Sequence, residues 1–141
     1  QFGTTGGATC LSGADNEVWS YGERVYEICK KYMAIREKLR PYTRDLMRQA
    51  HEKGTPVMRT LFYEYPEDET CWEVEDEYLY GSDILVAPVF EPGCRKRRLY
   101  LPEGRWQEYE TKKVYEGRQW IEIPVTLETM PVFEKTGKEI L

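Results

Sequence analysis

The spacing of apolar residues changes twice along the chain. Between Glu23 and about Arg40, Tyr26, Cys29 and Met33, with Tyr32, Ile35 and Leu39, recur at three- and four-residue steps. That period predicts an amphipathic helix with one apolar face. Glu23 falls in its first turn, where a negative charge suits the helix dipole, and Glu27 can pair with Lys31 one turn on. Pro41 has no N–H to donate and disfavours the α conformation at Arg40, so a kink or break is expected there. A second helix is predicted from Tyr42 to Glu52, with Leu46, Met47 and Ala50 on one face, ended by Gly54 and Pro56.

Beyond Pro56 the pattern becomes short apolar runs: Val57 to Phe62, Ile84 to Phe90, Arg98 to Leu101, Trp106 to Tyr109, Trp120 to Ile123 and Pro131 to Phe133. Seven of the eight prolines lie from Pro56 onward, and Pro102-Glu103-Gly104 and Glu116-Gly117 read as turns. Short strands punctuated in this way predict an antiparallel β-sandwich. Glu67 to Tyr80 reads as an acidic insertion holding a short helical turn. Gln1 to Gly22, with five glycines, has neither period and reads as a long loop. The fold class expected is α+β: an N-terminal loop and kinked helix, then the sandwich. A loop this long inside a compact domain is uncommon and usually functional, unless its neighbours are missing. A helix must also bury its stripe against something. The six apolar residues of the first helix represent ~10 kcal/mol of burial. The chain is therefore expected to be part of a larger protein. Alone, it is expected to form a dimer or swapped helix through that stripe.

Composition narrows the function. The net charge of −5 disfavours a general nucleic-acid partner, which needs a basic face. No apolar run approaches the ~20 residues of a membrane span. Aromatics make up 13% of the chain, which argues against disorder because each ring brings a large buried area. Cys10, Cys29, Cys71 and Cys94 include no CxxC pair, so a zinc site has little support. Free thiols are favoured over disulfides, and a cytoplasmic location over secretion.

Several groups of residues invite a chemical reading. Glu64, Glu67, Asp68, Glu69, Glu73, Glu75, Asp76 and Glu77 form the densest acidic cluster, read as a solvated face that pairs in part with Arg95, Lys96, Arg97 and Arg98. His51 is the sole histidine, so HExxH zinc chemistry fails and a helix-end role is favoured. Gly6-Gly7 could approach a phosphate or a sugar but reads first as ordinary turn chemistry. Trp106, Tyr109, Tyr115 and Trp120 could stack on sugar rings, against the simpler reading of sandwich packing.

Several motifs, in order and at suitable spacings, resemble one family. Arg36 to Tyr42 resembles the LRxxLxPY helix of family 31 glycoside hydrolases, and Ala50 to Arg59 its AHxxGxPxMRPLF passage, with Thr60 where that family often has proline. Tyr63 to Asp68 with Tyr78 to Val89 is similar to its FPxD…QYxxGxxLLVAPV signature. Tyr100 to Trp106 matches YLPxGxW, and Met130 to Phe133 matches the xPVFxRxG end, with Lys135 at the usual arginine. The resemblance implies that residues 1–54 are the loop after the eighth strand of a (β/α)8 barrel, then its last helix and extension. Residues 55–141 are then the proximal C-terminal β-sandwich.

Active sites of such barrels lie at the C-terminal ends of the strands, the side the first loop would face. The family's catalytic aspartates lie upstream of the matching region. Asp15-Asn16-Glu17 echoes the nucleophile motif in the wrong place. No catalytic, substrate-binding or metal-binding residue and no cofactor is therefore expected in this chain. The parent is expected to hydrolyse α-glucosidic or α-xylosidic bonds of an α-linked oligosaccharide or glycoside with retention, and this segment to be inactive alone. The alternative is a stand-alone carbohydrate-binding sandwich.

Overall fold

The computed structural model describes residues 17–141. The readings placed on Gly6-Gly7, Cys10 and Asp15-Asn16 lie outside the described residues. The chain forms two compact units, divided between Lys38 and Leu39.

The first unit contains a 3-10 turn at Val18–Tyr21 and helix α1 at Glu23–Lys38. No residue of α1 is buried, and Met33 on the predicted stripe is 51% exposed.

The second unit opens with α2, Arg40–Lys53. Pro41 was expected to force Arg40 out of the α region; instead Arg40 starts the helix and Pro41 occupies its first turn. An N–H there has no intrahelical acceptor, so proline costs nothing. Gly54 ends α2 with φ +69° and donates its N–H to Ala50 O, the left-handed cap that glycine supplies without a Cβ penalty. The boundary implied at residues 54/55 and the compact boundary at 38/39 differ by α2, because α2 packs on the sheet that follows.

The remaining elements are β1 (Met58–Arg59), α3 (Leu61–Glu64), α4 (Thr70–Glu73), β2 (Tyr78–Tyr80), β3 (Ile84–Val86), β4 (Lys96–Leu101), β5 (Arg105–Glu108), β6 (Val114–Glu116), β7 (Gln119–Pro124) and β8 (Val132–Lys135). Six strands form one antiparallel sheet in the order β1-β2-β3-β8-β5-β6, and β4 pairs with β7 in a second. The α+β class and the antiparallel sandwich are as predicted. The run Val57 to Phe62 is not one strand: it divides at Thr60 into β1 and α3. Strands β2 and β6 were not predicted.

Leu79, Leu85, Trp106 and Phe133 from the larger sheet meet Leu99, Leu101 and Ile123 from the smaller one in a continuous core. Leu61, Cys71 and Val74 close one side of it. Each large side chain buried there contributes roughly 1.5–3 kcal/mol.

Candidate functional site

Residues 65–77 connect α3 to β2 and carry most of the predicted acidic cluster. The chain leaves α3 at an ion pair between the buried Arg59 and Glu64, and the Arg59 Nε–H also donates to Pro56 O at 2.7 Å. Asp68 receives the Tyr100 hydroxyl at 2.7 Å and the Thr70 N–H at 3.1 Å. Asp76 binds the Arg97 guanidinium at 2.6 Å through its carboxylate and at 2.8 Å through its carbonyl. The expected pairing with the Arg95–Arg98 run is therefore present, and specific: Arg97 takes Asp76, while Lys96 reaches Glu122 at 2.8 Å.

Beside this segment lies an open cleft of about 420 Å³, lined among others by Tyr65, Glu67, Asp68, Glu69, Tyr100 and Arg118. A retaining glycosidase needs two carboxyl groups about 5–5.5 Å apart across a sugar, one of them held protonated. Here Asp68 is bonded to Tyr100 and Thr70, and Glu103 at the rim to Arg118 at 2.9 Å. Burial pushes the Glu77 carboxyl up to about 7, and Glu77 does not line the cleft. Among the described residues no group of three or more His, Cys, Asp or Glu side chains could hold a metal ion.

The other candidates take ordinary places. His51 is exposed in the last turn of α2, where a basic group faces the negative end of the helix dipole. Trp106 is fully buried and donates its Nε1–H to Pro102 O at 2.8 Å. Tyr115 packs edge-on against Phe133, and Tyr109 lies under the Lys112 ammonium. Trp120, on the other sheet, has the Arg98 guanidinium 4.5 Å from its ring centroid. These four rings do not form a common open face. The exposed aromatic pair is instead Phe62 and Trp72, stacked with centroids 4.7 Å apart and planes 13° apart. Sequence reading missed it because α3 was taken for strand; the helical turn expected within Glu67 to Tyr80 is present as α4, but it was not placed on Trp72.

The best-defined joint is the seat of α2. Tyr42 donates its hydroxyl to Tyr80 O at 3.0 Å and accepts the Asp83 N–H at 3.3 Å, while Thr43 Oγ1 and Tyr80 Oη lie 2.6 Å apart. Burial and the nearby Asp83 carboxylate push the Tyr42 phenol up to about 12, so it remains a donor throughout the neutral range. Between these contacts is Gly81, at φ +67°; a Cβ there would overlap Tyr42 Oη and come within 2.7 Å of Leu46 Cδ2.

Fold and site together define a helix-braced β-sandwich in which most of the connecting segment's buried or partnered carboxylates act as structural ties. The family model for the glycosyl hydrolase family 31 C-terminal domain matches residues 54–140, and the chain belongs to that family. It is 44% identical over 124 residues to alpha-glucosidase 2 of Bacillus thermoamyloliquefaciens, covering 88% of this chain and 16% of that protein. It is 35% identical over 136 residues to human neutral alpha-glucosidase C, covering 95% of this chain and 15% of that one. A family 31 alpha-xylosidase from a soil metagenome, solved with xylose, superposes with a TM-score of 0.89 at 45% identity, over 93% of this chain and 20% of the xylosidase. The chain thus spans about a sixth of the length of the curated relatives it matches.

Proposed function

We propose that this chain is the C-terminal structural segment of a retaining α-glycosidase. Its parent hydrolyses α-glucosidic or α-xylosidic bonds of an α-linked oligosaccharide or glycoside by double displacement between two aspartates outside this segment. The observation that carries this reading is the joint at Tyr42. Helix α2 precedes the matched domain, yet it is stitched to that domain's sheet through Tyr80, Gly81 and Asp83. A sandwich built this way braces α2, the extension that follows the last barrel helix, and through it supports the barrel.

The segment works without a cofactor, and neither nucleic acid nor membrane is its partner; the net charge of −5 supports the first exclusion. The free thiols of Cys29, Cys71 and Cys94 support a cytoplasmic parent. Taken alone, the segment dimerises through the α1 stripe.

The test is turnover of p-nitrophenyl α-glucoside and α-xyloside. The parent is expected to cleave at least one of them, and the 141-residue chain neither. A parent carrying Tyr42→Phe is expected to unfold at lower temperature with KM unchanged. Turnover by the chain alone would overturn the reading.

A further inference from the structure

Residues 65–77 are strapped across β4 by three polar ties: Asp68 to the Tyr100 hydroxyl, Asp76 to Arg97, and Glu77 to the Tyr100 backbone. Cys71 and Val74 of the same segment are pressed into the core beneath. The third tie differs from the others. Glu77 is 6% exposed, its Oε1 accepts the Tyr100 N–H at 2.7 Å, and its Oε2 is buried with no hydrogen-bond partner.

The groups facing Glu77 are few. Arg97 on β4 is the nearest cation named by its electrostatics, but its donors are committed to Asp76, Pro88 O and Arg98 O. Asp76 is a neighbouring negative charge, and Cys71 on α4 is a thiol that burial pushes up to about 12 and therefore adds no charge near neutrality. Tyr100 is likewise neutral there, its phenol pushed up to about 12 by burial and by Asp68. An ionised Glu77 would be a buried charge without a dedicated counter-ion, which is costly, whereas the neutral acid is tolerated.

We propose that Glu77 is a proton-operated latch: while its carboxyl is protonated the 65–77 strap stays on β4, and loss of that proton loosens the strap and uncovers Cys71. The direction follows from linkage. Burial raises the folded-state carboxyl from the ordinary 4.5 to about 7. The closed strap therefore holds the proton more tightly than the open one. Closure is fully favoured below about 4.5, weakens as pH rises toward about 7, and changes no further above it.

The experiment compares the 141-residue wild-type chain with Glu77→Gln, which keeps the acceptor for the Tyr100 N–H and cannot ionise. Cys71 alkylation by iodoacetamide is followed from pH 5 to pH 8 by peptide mass spectrometry, which separates Cys71 from the other cysteines. Ionised Glu77 raises the Cys71 thiol, so its direct effect would lower the wild-type rate relative to the variant as pH rises, opposite to the change the latch predicts. The ratio of the rates, wild type over variant, is expected to rise about tenfold or more and to level off above about pH 7. A ratio that stays flat overturns the latch. Should Glu77→Gln fail to fold, a carboxyl-carbon NMR titration of wild type decides it. A Glu77 midpoint near 7 supports the latch, and one near 4.5 overturns it.

Discussion

At residue scale Gly81 sits closely packed under Tyr42 in the second unit. Alanine there must both adopt a left-handed conformation and displace a phenol that is hydrogen-bonded on two sides. Each effect costs of the order of 1–3 kcal/mol. Gly81→Ala is therefore expected to lower the stability of the second unit by about 3 kcal/mol, read from a shifted urea midpoint with unchanged slope. The ion pairs are unequal by the same logic. The Arg59–Glu64 pair is largely withdrawn from water, whereas Arg118–Glu103 is exposed on both sides and held in place by little else.

How visible these roles are in the sequence depends on their chemistry. At Gly81, between the acidic insertion and the apolar run from Ile84, no turn was read, though a glycine in such a place is readable as one. That Tyr42, 39 positions earlier, would fill the space above it is not readable, because the contact is tertiary. Glu77 was read with its acidic neighbours as solvated. Nothing local separates it from Glu73 or Glu75, and only the strap's path over β4 buries it.

At the scale of elements the two helices were legible because period, charge and end signals agree. Pro41 was the exception. The same residue that breaks a helix from within starts one well, and the chain ends α1 at Lys38, before the proline can interrupt it. Pro41→Ala is accordingly expected to leave far-ultraviolet helicity unchanged. It should cost about 0.5 kcal/mol, mainly by loosening the unfolded chain. A gain in helicity would mean that proline is a true breaker at this position. Among the strands, β3, β4, β5, β7 and β8 fall on short apolar runs and were foreseen in outline. Strand β6 has only three residues, two of them exposed, and lies at a sheet edge, so it leaves almost no pattern. Strand β2 is hidden behind the charges of the strap. Helix α3, four residues long, is too short to nucleate by itself and takes its form from the burial of Leu61 and the Arg59–Glu64 pair.

At the scale of the whole molecule, the two units differ in how much they bury. Among the described residues, the second holds the whole buried core, including Leu46 of α2. Helix α1 buries no residue, and Trp19, Tyr21 and Met33 remain well exposed. Exposed apolar area of this kind favours association. Light scattering of the isolated chain at micromolar concentration is expected to give twice the monomer mass of 16.7 kDa, and removal of residues 1–38 to return it to monomer. A monomer in the first measurement would count against the proposed dimer. The activity proposed for the parent, by contrast, is assigned to residues outside this segment. That explains why a sequence so informative about family was silent about substrate.

The order β3-β8-β5 has a consequence for biosynthesis. Strand β8 lies in the middle of the six-stranded sheet, pairing Leu85 with Phe133 on one side and Trp106 with Lys135 on the other. The strands made first, β1 to β3, and those made later, β5 and β6, touch within that sheet only through it. During translation neither half can close until residues 132–135 have left the ribosome. The nascent domain must therefore wait, with its sheet edges open, for residues 132–135 to emerge.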